Sequence, residues 1–197
     1  MDRVCHPARM ALLPDLIPAG TVELRRWRPA QAEALTAAVE ASLPELGRWM
    51  PWAQEHPTVD GITEVLTEGE ASFEADREWQ FVVAEPGADG VLGATGLHHR
   101  GPPDTVEIGY WIRSDRTGGG LATAAARALT TAAFGHLAYV GAVEIQMDTS
   151  NRRSAAVPPK LGFRLTGEVD HAIDAPGHSG RWEVWSMDRD HWRPRSA

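Results

Sequence analysis

One stretch constrains the fold more than any other: Glu107-Ile108-Gly109-Tyr110-Trp111-Ile112-Arg113-Ser114-Asp115-Arg116-Thr117-Gly118-Gly119-Gly120-Leu121-Ala122-Thr123-Ala124-Ala125. Glu107 to Ile112 is rich in aromatic and β-branched residues and reads as a strand. Leu121 to Phe134 is Ala-rich and reads as a helix. Gly118, Gly119 and Gly120 lie between them. A strand, a glycine loop and a helix N-terminus make an anion cradle, because the first helical turn offers free N–H groups and the helix dipole favours negative charge there. Glycine adds close backbone approach. The dinucleotide pattern G-x-G-x-x-G is absent, since Leu121, Ala122 and Thr123 follow the triplet, and no Gly-Lys-Ser/Thr marks a P-loop. The local sequence leaves two readings open: a phosphate cradle, or a glycine-rich β-to-α turn without a ligand.

The 197 residues suit one domain, and 43% hydrophobic content is enough for a core. Cys5 is the single cysteine, which excludes a disulfide framework and a Cys-based zinc site within one chain; no metal ligand set is expected. Ala11-Leu12-Leu13 is stopped by Pro14, so no signal peptide is read, and no run approaches a membrane span. A cytoplasmic protein is expected. The formal net charge of −8 argues against nucleic acid and anionic membranes as partners, and for a cationic one.

Residues 1–20 carry Pro7, Pro14, Pro18 and Gly20 without periodicity and read as an extension, with Met10 a second candidate start. Thr21 to Trp27 alternates as a first strand. Pro29 suits a helix N1 position, and Leu35, Val39, Leu43 and Leu46 recur at helical spacing. Trp49-Met50-Pro51-Trp52 follows as an aromatic turn, whose tryptophans are core plugs or walls of a substrate pocket. Asp60 is the expected N-cap of a second helix over 61–76. Eight acids fall between Glu55 and Glu78 against one base, Arg77. They form either a solvated face or a lip for a cationic substrate. Strands are expected over 79–85, 91–99, 105–112, 143–148, 163–170 and 181–187. Antiparallel strands followed by strand–helix–strand indicate a mixed sheet with helices on its faces.

With these pieces in place, the chain resembles the GNAT acyltransferases, and within them the RimJ/RimL-like N-acetyltransferases. Four pieces carry the resemblance: Trp49-Met50-Pro51-Trp52; Glu107 to Ile112; Thr117-Gly118-Gly119-Gly120-Leu121-Ala122; and Asn151-x-x-Ser154-x-x-Val157-x-x-Lys160-Leu161-Gly162-Phe163. It covers about residues 21–192, leaving 193–197 as a tail. The resemblance implies an α/β (α+β) GNAT fold, a mixed, mostly antiparallel sheet of about six to seven strands flanked by about four helices. It implies acetyl-CoA as co-substrate, with no metal. The family's glycine loop, Arg/Gln-x-x-Gly-x-Gly/Ala, holds the pyrophosphate; Gly120 and Ala122 fill its last places, while Thr117 departs from Arg/Gln beside Arg116. By this resemblance Thr117, Gly118, Gly119, Gly120, Leu121, Ala122 and Thr123 hold the phosphates. The backbone of Tyr110, Trp111, Ile112 and Arg113 meets the pantetheine, and so does Asn151. Pro158-Pro159 departs from the family's regular helix, so that helix is expected to break.

Acyl transfer to an amine needs a held thioester, an unprotonated amine, a donor for the oxyanion and a proton for the thiolate. Ser154 is the candidate donor to the thiolate, a role that other family branches give to a tyrosine. Glu107 is the first candidate base, on the same strand face as Gly109 and Trp111. His98 and His99 are the second, and only one of the two can face the cleft. Trp49, Trp52 and His98 are candidate acceptor contacts. Three functions stay open: N-acetylation of a protein or peptide α-amino group, acetylation of a small cationic amine, and acyl-CoA binding without turnover. The resemblance leaves a homodimer open as well.

Overall fold

The computed structural model describes residues 13–193. Cys5, Met10 and the end of the tail, 194–197, lie outside the described residues. Eight strands form one sheet: β1 (Leu16–Ala19), β2 (Val22–Arg26), β3 (Trp79–Ala84), β4 (Val91–His98), β5 (Thr105–Ile112), β6 (Ala142–Asp148), β7 (Arg164–Asp170) and β8 (Arg181–Asp188). Their order is β1-β2-β3-β4-β5-β6-β8-β7. Every neighbouring pair is antiparallel except β5 and β6. The helices are α1 (Ala32–Glu40), α2 (Leu43–Trp49), α3 (Val59–Glu74), α4 (Leu121–His136) and α5 (Arg152–Ala155). Among the described residues, no helix is long and apolar enough to cross a membrane.

The mixed, mostly antiparallel sheet agrees with the sequence reading, and three boundaries differ from it. The sheet has an additional edge strand, β1, inside the stretch read as an extension. Ile17 and Ala19 are buried, and a turn at Gly20 (φ 70°) folds β1 onto β2. Pro18 obscured the strand, but an edge position tolerates a proline because no ladder donor is lost on the open side. The first helical region divides into α1 and α2 at Ala41-Ser42, and Pro44 sits in the first turn of α2. The cap of α3 is Thr58, whose Oγ1 accepts from Gly61 N–H at 3.1 Å, rather than Asp60, which lies in the first turn.

The sheet separates two cores. Leu24, Phe81, Leu97, Ile108 and Ile145 pack with Leu129 of α4 on one face. Val82 and Ala94 pack with Leu35, Val39 and Leu66 of α1 and α3 on the other. Alternation along β5 therefore gives Val106 and Ile108 to the α4 side, and Glu107, Gly109 and Trp111 to the opposite side. Small residues bring α4 close to the sheet: Ala125, Ala126, Ala128, Ala132 and Ala133 are all buried. Arg189 closes its far end, donating Nε–H to Val140 C=O (2.8 Å) and Nη2–H to Leu137 C=O (2.7 Å).

Candidate active site

The two central strands part company. β5 and β6 pair only at Thr105–Ala142, Val106–Val143 and Glu107–Glu144. Beyond that point β5 stays with β4, while β6 follows β8 as far as Asp148–Trp182. Arg113 N–H donates to Leu92 C=O at 2.8 Å. With the antiparallel register, this turns the backbone groups of Gly109, Trp111 and Arg113 toward β4 and leaves those of Tyr110 and Ile112 facing the gap. Of residues 110–113, these two therefore offer main-chain groups to a ligand between the strands. The Arg113 side chain is engaged with Asp115 (3.0 and 2.9 Å). A cleft of about 810 Å³ opens here, with Gly109, Tyr110 and Trp111 on one wall and Gln146, Asn151 and Ser154 on the other.

The glycine loop lies at the end of β5. A 3-10 turn over Ser114–Arg116 leads to Thr117, whose hydroxyl donates to Ser114 C=O (3.0 Å). Gly118 and Gly120 have φ of 83° and 81°, and nothing lies within 4 Å of where a Cβ would stand. Gly120 is the N-cap of α4 and has no side chain to cap it. The first helical bond is Ala124 N–H to Gly120 C=O (2.9 Å), so the N–H groups of Leu121, Ala122 and Thr123 have no helical acceptor. Leu121 and Ala122 pack their side chains on the core and present only backbone. A second cavity of about 460 Å³ touches Arg116, Thr117, Gly119 and Leu121. The uncapped amides fit a phosphate group; the half-exposed Arg116 stands 3.7 Å from Glu85, which lines the same cavity, and 3.8 Å from Asp115, and must turn from both to join them. Thr117, with its hydroxyl tied down, does not replace the family's arginine or glutamine.

On the opposite wall, Asn151 caps the single turn α5 by accepting from Ser154 N–H at 3.2 Å. The helix stops at Ala155, and Pro158–Leu161 continue as a 3-10 turn, which is the break expected from Pro158-Pro159. Tyr110 reaches across the gap. Its hydroxyl lies 3.1 Å from both the Ser154 carbonyl oxygen and Oγ. The carbonyl can only accept, so when the single phenolic proton goes there, Ser154 Oγ–H is free to turn into the cleft. Burial pushes the Tyr110 phenol up to about 12, so it stays protonated at neutral pH.

Glu107 and His98 face each other across β4 and β5. Glu107 is buried, and burial raises its pKa, while Arg100 opposes the rise from 3.9 Å. His98 lies over the face of Gly96 and Gly109, its Nε2 3.2 and 3.5 Å from where a Cβ at each would stand. Its Nδ1 is 3.1 Å from Glu78 Oε2. This close contact with His98 holds the Glu78 carboxyl below its usual range. His99 turns away and stacks near Trp79 and Tyr139. Trp52 meets Trp111 with ring centroids 6.4 Å apart, and Trp49 lines the same cleft. Glu107, His98, Trp49, Trp52, Tyr110, Trp111, Asn151 and Ser154 thus share one cleft; Thr117, Gly119 and Leu121 border the smaller cavity, and Gly118, Gly120, Ala122 and Thr123 line neither.

Part of the site was not singled out from the sequence. Glu78 and Arg100 bear on His98 and Glu107 from outside the motifs. Asp148 accepts from Ser150 N–H and Ser179 N–H, both at 2.7 Å. Burial alone would raise its pKa, but these bonds outweigh burial and lower it. His171, Asp174 and His178, from the loop between β7 and β8, and Trp182, at the start of β8, line the cleft. Their available signal was the His-x-x-Asp-x-x-x-His spacing within a Pro/Gly turn. The acidic stretch also resolves into two groups. Glu70, Glu74 and Glu78 face Arg28, Arg26 and His98, whereas Glu55 lies on the cleft rim.

Comparison with known proteins places this geometry. Residues 21–164 match the family described as the acetyltransferase (GNAT) domain. The putative ribosomal N-acetyltransferase YdaF of Bacillus subtilis (strain 168) is 34% identical over 106 residues, 53% of this chain and 57% of that protein. The match therefore spans little more than half of that relative's length. The probable N-acetyltransferase YjcK of the same organism is 30% identical over 133 residues, 66% of this chain and 71% of that protein. The structure of Mycobacterium smegmatis RimJ in complex with CoA-disulfide is similar with TM-score 0.79 and 26% identity, covering 93% of this chain and 90% of that one.

Proposed function

The chain belongs to the GNAT acetyltransferase family, and we propose that it moves the acetyl group of acetyl-CoA directly to a primary amine, the α-amino group of a protein or peptide. One observation carries the reading: β5 parts from β6 after Glu107, lines a cleft that holds a buried carboxylate and a hydroxyl pair, and runs on into the uncapped start of α4. In this reading the amides of residues 121–123 and Arg116 hold the pyrophosphate. Main-chain groups of Tyr110 and Ile112 align the pantetheine arm, and an N–H there polarises the thioester carbonyl. Glu107 takes the ammonium proton. Its raised pKa makes it a stronger base than an exposed carboxylate. Ser154 offers its hydroxyl to the departing thiolate, while Tyr110 fixes the serine. The ribosomal N-acetyltransferase relative supports a protein N-terminus as acceptor. The carboxylate of Glu55 at the rim supports a small cationic amine as the second reading.

The test is thiol release from acetyl-CoA against two panels, peptides with free N-termini and small polyamines or aminoglycosides. Turnover with peptides supports the first reading, and turnover confined to small amines the second. Glu107→Gln is expected to reduce kcat at least about tenfold, the low end for general base catalysis. CoA binding without turnover on any amine would replace transfer by a silent acyl-CoA-binding role. Absence of CoA binding would overturn the whole reading.

A further inference from the structure

We propose that the loop between β7 and β8 is a divalent transition-metal site formed by His171, Asp174 and His178. One ligating atom from each lies within 4.8 Å of the others. His178 is the anchor. Its side chain is 2% exposed, and its Nε2 stands 2.9 Å from the Trp49 carbonyl oxygen, which fixes a proton on Nε2, so that the neutral ring carries its lone pair on Nδ1. That Nδ1 is 2.8 Å from Asp174 Oδ1, yet it is buried without a hydrogen bond of acceptable angle. A lone pair beside a carboxylate oxygen is repulsive. A cation placed off the line between the two atoms satisfies both. His171 repeats the arrangement: its Nδ1 is 3.0 Å from the Ala172 carbonyl oxygen, which leaves Nε2 as the lone-pair donor. Metal-ligating histidines characteristically give their second ring N–H to a carbonyl or carboxylate, and here both rings do so to the backbone.

The loop holds these groups in place without a ligand's help. The His171 ring stacks on Trp182 at 4.0 Å and 17°, and meets His178 edge-on at 6.1 Å. Gly177 N–H donates to Arg48 C=O (2.8 Å), and a Cβ at Gly177 would come within 2.6 Å of that same oxygen. Ser179 N–H is fixed on Asp148. Two imidazole nitrogens and one carboxylate select Zn²⁺, Ni²⁺ or Co²⁺ over Mg²⁺ and Ca²⁺, which demand oxygen ligands. All three residues line the cleft, so the ion stiffens its wall. It takes no step in acetyl transfer, and the site stands whether or not the acceptor is a protein.

The full chain, stripped with chelator, is titrated with ZnCl2 by calorimetry and with CoCl2 by visible absorption, in the absence of CoA. The expected result is one saturable equivalent, a cobalt d–d spectrum of low-symmetry nitrogen and oxygen ligation, and a higher Tm with Zn²⁺. His171→Gln and Asp174→Asn alter exposed residues, so both variants should fold, as circular dichroism can verify. Each should weaken binding at least about tenfold and abolish the Tm shift. The proposal is overturned if the wild-type protein shows no saturable site. It is equally overturned if both variants bind as tightly as wild type, which would assign binding to other histidines, or if MgCl2 competes at equal concentration.

Discussion

Glu107 combines two properties that pull in opposite directions. Burial raises its pKa, which serves proton abstraction and costs stability. The sign follows from linkage. Below the ordinary glutamate value of about 4.3 the side chain is neutral, folded or unfolded, and costs nothing. As pH climbs through the raised folded value, charge enters a buried site and stability falls. Glu107→Gln has no such loss. Its Tm should match wild type near pH 4 and exceed it at neutral pH, while turnover drops; thermal melts across pH measure this. Equal Tm values at every pH would mean that Arg100 compensates the charge fully. Tyr110 and Ser154 separate in the same way. Tyr110→Phe removes the hydroxyl donor from Ser154 C=O, which keeps Val157 N–H at 3.0 Å, and should cost about 1 kcal/mol in chemical denaturation, whereas Ser154→Ala should act mainly on kcat. The strand period was enough to place Glu107 beside Gly109 and Trp111, and to allow only one of His98 and His99 in the cleft. It could not pair Tyr110 with Ser154, because 44 residues and an entire helix separate them in sequence.

Among the elements, α4 and its glycine entry were legible because composition changes abruptly from strand formers to glycine to alanine. The three glycines are not equivalent. Gly118 and Gly120 are left-handed, while Gly119 is not and its nearest would-be neighbour, Arg116 O, stands at 3.9 Å. Gly118→Ala and Gly120→Ala should each cost roughly 1–2 kcal/mol of backbone strain. Gly119→Ala should be nearly neutral in stability. Denaturant titration gives the ranking, and CoA calorimetry should show weaker binding only where the loop has shifted. β1 was illegible for the opposite reason: two prolines and a glycine in a short stretch hide the alternation, and only the tertiary partner β2 supplies the ladder. Deleting residues 1–20 removes buried Leu13 and Ile17, each worth about 1.5–3 kcal/mol. That deletion should lower Tm far more than deleting 1–12. Equal melting of the two truncations would show that β1 adds nothing to the sheet.

At the scale of the whole molecule, the site exists because one parallel pairing sits inside an otherwise antiparallel sheet. β5 must hand its chain to α4 and β6 must return beside it, and the two strands hold together over only three residue pairs. Sequence order indicated the strand–helix–strand unit, but not where the pairing ends, since no residue type marks the end of a ladder. The charge distribution was legible only in sum. Of the acids between Glu55 and Glu78, Glu70, Glu74 and Glu78 face basic side chains and mainly fasten α3 and its C-terminal flank to the sheet. Steering of a cationic acceptor therefore falls to the net charge of −8 and to rim carboxylates such as Glu55. Such steering works over distances that salt screens, with a Debye length of about 10 Å at 0.1 M and about 3 Å at 1 M. Raising NaCl across that range should increase the acceptor KM several-fold and leave kcat unchanged. Glu55→Gln should flatten the dependence, because it removes a charge at the mouth without touching the reacting groups. An acceptor KM indifferent to salt would assign recognition to the tryptophan walls rather than to the field.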